Sequence, residues 1–497
     1  MAIEWSGLGP GLLVRLDRSG SQPLRTQLEV SLREAIRDGR LRGGERLPSS
    51  RELARELGVS RGMVQECYGQ LLAEGYLTSR TGSATRVADI RERPAVLNLP
   101  GPPAAAGSPV TPWPARQPAD RALIADFRAG VPDLSSFPRA DWAWAVRQAC
   151  GEVASADLGY GDPRGSIVLR EVLAGYLRRV RAADADPGQM IISTGFAQGV
   201  NLVLRALSRE RGVSCVAFED PGYGSAQTDE TVRAAVTMGL RARYVPVDEE
   251  GLVVSALAAS GAQAVVVTPA HQSPTGVVLS AARRHALVDW ARRGGGYVIE
   301  DDYDSEFRYD KEPVGALQGL APDQVFLVGT VSKALAPAVR LGWVLAPSPL
   351  ATAVAEEKEM SDRGSCTMDQ FALATLLTSG RYDRHLRRMR AVYAARRAAL
   401  VEAFARHSPG VRLTGLAAGF HAVASLPASA DEAAVIAAAR QRRVGLYGIS
   451  GYRGTPDAAV LDWPGPSAAA PALVIGFGNV GERSIEPAIA AVADLFS

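Results

Sequence analysis

Between residues 190 and 347 the chain returns seven times to a short, nearly unbroken apolar run: MIIST (190–194), SCVAFE (214–219), RARYVPV (241–247), AQAVVVTP (262–269), GYVIEDD (296–302), QVFLVGT (324–330) and LGWVLAP (341–347). Runs this short with little polar alternation predict strands covered on both faces. The stretches between them are rich in Ala and Arg at helical spacing, so an α/β layered domain with a mostly parallel sheet is expected. Beyond about residue 350 the pattern turns helical, and short apolar runs return only in AGFHAVASL and ALVIGFG. That predicts a smaller α+β domain over residues 350–497.

A different pattern fills residues 1–87. In RLPSSRELARELGVSRGMVQECYGQLLAEGYL, residues Leu53, Leu57, Val64, Tyr68, Leu71 and Leu72 recur mostly at three- or four-residue spacing and give two helices a shared apolar face. Ser50 reads as the cap of the first helix, Gly58 as its end, and the second begins near Arg61. This is the punctuation of a helix-turn-helix. It leaves Ser60, Arg61, Gly62 and Gln65 on the exposed N-terminal side of the second helix, where such a helix meets base edges and phosphates of double-stranded DNA; Arg51 joins them as a candidate contact. TSRTGSATRV then reads as a hairpin with Gly82 in its turn and with Arg80 and Arg86 available to phosphates or the minor groove. A small helical protein-interaction module is the alternative. Residues 88–122, dense in Pro, Ala and Gly without a sustained period, read as a semi-stiff linker, and 123–349 as the large domain with an N-terminal arm.

At 497 residues the chain is too long for one core. Its 55 basic and 53 acidic residues leave a net charge of +2, which excludes a generally cationic nucleic-acid coat, so any DNA contact is local. The four cysteines, Cys67, Cys150, Cys215 and Cys366, show neither disulfide nor metal spacing. No run approaches the roughly 20 apolar residues of a membrane span. A cytoplasmic protein with no metal is expected.

Only three lysines occur, Lys311, Lys333 and Lys358; arginine supplies every other basic side chain. Lys311 and Lys358 have charged neighbours and read as surface residues. Lys333 follows an apolar strand and precedes Ala334, Leu335, Ala336 and Pro337, which form no solvated face. An amine can lose its proton and attack an aldehyde, which a guanidinium cannot do. Holding pyridoxal 5′-phosphate as a Schiff base on Lys333 also requires a carboxylate for the pyridine nitrogen, a donor to the phenolate oxygen, an aromatic face and phosphate ligands. Asp301 suits the first, Tyr303 the second and Tyr223 the third. For the phosphate, Gly195, Phe196 and Ala197 offer amides at a helix N-terminus, and Arg340 a guanidinium. Ser332, beside Lys333, and Ser273 complete the candidates.

Two resemblances follow from these segments. Residues 20–87 resemble the GntR-family winged helix, most clearly in LPSSRELARELGVSRGMVQECYGQLLAEGYL. Residues 123–490 resemble the fold-type I aminotransferases through YGDPRG, EDPGY, PTG, EDDYDSEFRY and SKALAPAVRLGW. Joined by a long linker, they resemble the MocR-type regulators. The likeness implies a transcription regulator that senses a small molecule through its aminotransferase-like domain. It also implies a head-to-tail homodimer in which Tyr160 reaches the partner's phosphate.

The sequence departs from working aminotransferases in two places. Ser273 stands where they usually carry Asn before PTG, with His271 and Gln272 beside it. No Arg lies between Ala472 and Gly481, where amino-acid-binding relatives would place one; Arg453 and Arg483 are the nearest substitutes, and Ser225 offers none beside Tyr223. The expected effector is therefore pyridoxal phosphate itself, with vitamin B6 synthesis as the controlled process. An amine or amino acid effector, or an active aminotransferase with a DNA-binding appendage, remain the alternatives.

Overall fold

A computed structural model of the chain describes residues 16–18, 22–79, 84–88, 123–224, 229–309, 314–454 and 470–496. It divides into two compact units, Met1–Gln117 and Pro118–Ser497. Apart from Ala88, the expected linker lies outside the described residues, as do Arg80, Gly82, Ser225 and Lys311.

In the first unit, α1 (Leu24–Arg37), α2 (Ser50–Leu57) and α3 (Arg61–Ala73) precede the pair β1 (Leu77–Thr78) and β2 (Arg86–Val87). Leu53, Val64, Tyr68 and Leu71 are buried together with Leu28 and Leu32 of α1, so the apolar face read from the sequence is the core of this unit. The strands pair antiparallel, Leu77 opposite Val87. The Ala88 amide still donates to the Tyr76 carbonyl, which ties the first linker residue to the wing. One local expectation is corrected. Ser49, not Ser50, caps α2: its hydroxyl accepts from the Glu52 amide while the Glu52 carboxylate accepts from the Ser49 amide. That reciprocal box requires a glutamate three residues after the cap, which only Ser49 has.

In the second unit, β3 (Ala125–Asp126), α4 (Arg139–Glu152) and α5 (Ile167–Arg181) lead into β4 (Met190–Ser193), α6 (Phe196–Arg211), β5 (Cys215–Asp220), α7 (Glu230–Thr237), β6 (Arg241–Asp248), β7 (Gly251–Leu252), α8 (Val254–Ala259), β8 (Ala264–Val267), α9 (Ala281–Gly294), β9 (Tyr297–Asp302), β10 (Val325–Thr330) and β11 (Gly342–Leu345). Eight of these strands form one sheet in the order β4-β11-β10-β9-β8-β5-β6-β7. From β10 to β6 all neighbours are parallel; β11 is antiparallel to both of its neighbours and β7 to β6. Each of the seven apolar runs is a strand. β4, β5, β8, β10 and β11 are buried along their whole length, as continuous apolar runs require.

The chain continues through α10 (Ser348–Asp362), α11 (Thr367–Thr378) and the 27-residue α12 (Arg381–His407) to β12 (Leu413–Thr414), β13 (His421–Ser425), α13 (Glu432–Gln441), β14 (Val444–Gly445), β15 (Ala472–Gly476) and α14 (Glu482–Val492). β12, β13 and β15 make a separate antiparallel sheet, and β14 pairs with β3. Because β4, β5, β8, β9 and β10 point the same way, their carboxyl ends line one edge of the large sheet, the edge at which open α/β sheets bind ligands.

Candidate cofactor site and DNA-reading surface

The segments leaving those five strand ends carry most of the candidate residues for a cofactor. Lys333 lies three residues past β10, and its ammonium donates to the Gly130 carbonyl at 2.7 Å. Burial pushes its pKa below the ordinary lysine value, against the opposing pull of the Asp301 and Asp304 carboxylates. Asp301, next to last in β9, is 6 % exposed. Its Oδ2 accepts from the Tyr223 hydroxyl at 2.6 Å, whereas its Oδ1 is buried and has no partner among the described residues. Burial drives this carboxyl well above the usual carboxylate range. The Tyr223 ring stacks on Phe196, centroids 5.9 Å apart and planes 9° from parallel, so two candidates from different strand ends touch.

At the start of α6, Gly195 has φ +112° and is the N-cap. A Cβ there would lie 3.3 Å from an Arg340 guanidinium nitrogen, so the glycine is what lets the arginine close over the helix terminus. Arg340 holds a left-handed backbone, φ +54°. The amides of Phe196 and Ala197, in the first turn, have no intrahelical acceptor. Ser332 is fixed by Thr330, oxygen to oxygen at 2.8 Å. Ser273 donates its amide to Thr268 Oγ1 at 3.1 Å. Tyr303 is turned to His271: its hydroxyl donates to the His271 carbonyl at 3.0 Å and lies 3.1 Å from His271 Nδ1. Tyr160 stands 79 % exposed, with the Arg363 guanidinium 5.2 Å above its ring.

Of the two arginines considered for a carboxylate, Arg453 lies beside the site, 3.4 Å from Asp220 Oδ2, and its neighbour Tyr452 accepts from the Gly222 amide. Arg483 is elsewhere, in a groove with Glu402, Arg406 and Glu486. Val474 of β15 is fully buried in a cluster with Val423, Ile449 and Ala472, against which Ala129 and Tyr452 pack.

Lys358 overturns its expectation as a surface residue. Its side chain is fully buried, and its ammonium is spent on Asp362 Oδ2 at 2.7 Å, Ser365 Oγ at 2.9 Å and Gln198 Oε1 at 3.0 Å. Gln198 Oε1 also accepts from the Thr194 amide, so this ammonium props the turn that carries Gly195. Lys358→Met removes an ion pair and two hydrogen bonds from acceptors that solvent partly reaches, and is expected to destabilise the full chain by about 1–2 kcal/mol, read by chemical denaturation. The sequence also gave no role to His271 or Asp304, which meet behind Tyr303. Their only trace there is the departure HQSPTG and the last acid of DDYD.

On the first unit, Arg51, Ser60, Arg61, Gly62 and Gln65 are all exposed. Ser60 is the N-cap of α3 and its hydroxyl accepts from the Met63 amide, which leaves its O–H to donate outward. Gly62 has open space where a Cβ would stand. Arg86 already donates to the Gly44 carbonyl at 2.9 Å, which leaves only its remaining donors for a phosphate.

Residues 24–87 match the model for bacterial regulatory proteins of the gntR family, and residues 129–453 match aminotransferase class I and II. The chain is 32% identical over 95% of its length to the HTH-type pyridoxine biosynthesis transcriptional regulator PdxR of Corynebacterium glutamicum, 96% of which is covered. It is 33% identical over 79% of its length to the probable rhizopine catabolism regulatory protein MocR of Rhizobium meliloti, 79% of which is covered. Among solved structures, kynurenine aminotransferase of Pyrococcus horikoshii, in complex with PMP, superposes with a TM-score of 0.65 at 23% identity over 76% of this chain and 91% of that one. A helix-turn-helix unit followed by an aminotransferase fold defines a DNA-binding transcription regulator with an aminotransferase-like second unit. The chain belongs to the MocR/PdxR type of GntR-family regulators. No helix among the described residues is long and apolar enough to cross a membrane.

Proposed function

We propose that this regulator holds pyridoxal phosphate on Lys333 and that occupancy by pyridoxal phosphate itself sets its grip on an operator, the controlled process being vitamin B6 synthesis. The observation that carries the reading is Asp301 Oδ1, a buried acceptor without a partner on the edge that holds Lys333. A carboxylate left this way costs free energy unless a donor arrives, and a protonated ring nitrogen is such a donor. The second support is the cradle: Gly195, the amides of Phe196 and Ala197, and the Arg340 guanidinium fit a dianionic phosphate. Bound there, pyridoxal phosphate supplies an aldehyde for a primary amine.

The chain's own groups would do the rest. Lys333, whose burial lowers its pKa and so favours losing the proton, presents the amine. Tyr223 holds Asp301 in place while its ring, with Phe196, walls the site. Tyr303 donates to an anionic ring oxygen, and Ser332 and Ser273 line the approach. By the habit of the fold the working unit is a head-to-tail homodimer, and the exposed Tyr160 is placed to reach across to the partner's phosphate.

Pyridoxal phosphate is favoured over an amino acid as the signal because the segment from Ala472 to Gly481 carries no arginine for a carboxylate, and Arg453 is already engaged by Asp220. The relative named for pyridoxine biosynthesis supports the same choice. A ligand shifts DNA affinity only by binding one arrangement of the protein better, typically by about 1–3 kcal/mol, or roughly 5- to 150-fold. The affinity of cofactor-free protein for DNA upstream of its own gene, at fixed salt, is expected to change by a factor in that range when pyridoxal phosphate alone is added. An unchanged affinity with the cofactor bound would overturn it as the signal and turn the search to amines. Turnover of an amino acid with a 2-oxo acid at enzymatic rates would favour a working aminotransferase.

A further inference from the structure

We propose that His271 and Asp304 form a positioning pair for Tyr303, polarising its hydroxyl and thereby setting the pH at which the Lys333 site titrates. The proposal rests on the reading that pyridoxal phosphate occupies that site. His271 leaves β8, whereas Tyr303 and Asp304 leave β9, and the strand order brings them together. His271 Nδ1 is 2.8 Å from Asp304 Oδ2 and 3.1 Å from the Tyr303 oxygen, and both His271 and Asp304 are 1 % exposed. A carboxylate acceptor at that distance holds a proton on Nδ1. The imidazole therefore presents an N–H that Asp304 fixes and that Tyr303 can share as acceptor. A hydroxyl that accepts a hydrogen bond donates a stronger one.

In the ligand-free chain the hydroxyl proton of Tyr303 is directed at the His271 carbonyl, with the Asp304 carboxylate a second acceptor close by and the Ser273 side chain also bonded to the hydroxyl. An anionic oxygen on a bound ring competes for it. The N–H behind Tyr303 strengthens the bond made to that oxygen, and so compensates the loss of the carbonyl.

The pair is held from every side. Gly419, φ +66°, lies so close that a Cβ would sit 2.3 Å from His271 Cε1 and 2.5 Å from Asp304 Oδ2. The ring of His421, on β13, is 4.6 Å from that of His271, and burial keeps it uncharged, so it adds no second cation. Asp301, itself near Lys333, faces Tyr303 from the site, Ser273 reaches it from its own side, and Arg308 donates to the Ala270 carbonyl next to His271. The same distances would also suit a histidine that only fills space, and pH discriminates the two roles.

The test is the pH midpoint of the visible absorbance of the full chain loaded with pyridoxal phosphate, measured for the natural sequence, His271→Gln, Tyr303→Phe and the double variant. A weaker donor stabilises the deprotonated form less, so His271→Gln is expected to raise the midpoint by about one pH unit. Tyr303→Phe raises it at least as far, and the double variant matches Tyr303→Phe alone, because His271 acts only through that hydroxyl. An unmoved midpoint in His271→Gln, or a shift that persists on the Tyr303→Phe background, overturns the proposal. Asp304→Asn stands in if His271→Gln takes up no cofactor, with the same expected direction. If neither loads while the natural chain does, the pair is structural support and the proposal falls. A natural chain that takes up no cofactor overturns instead the functional reading beneath it.

Discussion

Lys333→Met is expected to lose all borohydride-fixed pyridoxyl label and to bind pyridoxal phosphate at least about a hundredfold more weakly, on the order of 3 kcal/mol, while its ligand-free affinity for the operator stays unchanged. The covalent bond needs a neutral amine at this position, and among the described residues no other lysine is placed to replace it: Lys358 has its ammonium committed to three acceptors. The response of DNA binding to the cofactor should vanish with the label. Loss of the fold is not the expected reason. Desolvation lowers the pKa of Lys333 in the folded chain below its unfolded value. The unfolded state therefore binds more protons between the two values, and stability rises with pH across that window. Below the folded value the penalty for burying the ammonium is fully present, and an apolar side chain of similar length removes it. Lys333→Met should thus unfold at the same or higher denaturant concentration at neutral pH. In the natural chain the rate of labelling should climb with pH and level off below the ordinary lysine value of 10.5. Label persisting in Lys333→Met would assign the chemistry to another amine.

The sheet was legible because its strands are buried on both faces, so burial alone writes an apolar run into the sequence. β7 has two residues, too few for any pattern, and escaped notice. The helix-turn-helix was legible for a second reason, that Gly58 at φ +63° and the capping serines are local signals. Ser49 and Ser50 are adjacent and alike as caps, and only the reach to Glu52, three residues on, singles out Ser49. What sequence reasoning missed is all non-local. Lys358 looked solvated because Glu356, Glu357 and Glu359 flank it, yet α10 packs on α6 and puts Gln198 over its ammonium. Tyr223 and Asp301 are 78 residues apart, and His271 and Asp304 are 33 apart; both contacts exist only once the strand order is set. Residue types could nominate Asp301 and Lys333 because their chemistry is rare. They could not reveal which side chains hold them.

Arg61→Ala is expected to lower operator affinity by about 10- to 100-fold, the loss of roughly 1–3 kcal/mol that one good base or phosphate contact provides. Arg61 is the first residue of α3, exposed, with only a 3.4 Å contact from its Nε to Ser50 Oγ. The first turn of α3 contains no acidic residue. A cation there opposes the helix dipole and costs the fold about 0.3–1 kcal/mol, a penalty that makes sense where a phosphate or an electron-rich base edge supplies the missing negative charge. Arg61→Ala should accordingly have opposite signs in two assays, weakening DNA binding while slightly raising resistance to unfolding; the Ser60 cap, which does not depend on Arg61, keeps the helix start in place. The salt dependence then assigns the contact. A phosphate contact predicts a uniform loss across operator sequences and a slope shallower by about one unit, whereas a base contact predicts a nearly unchanged slope and relaxed preference at one base pair. Affinity that does not change would move recognition off the N-terminus of α3, onto Gln65 and the wing.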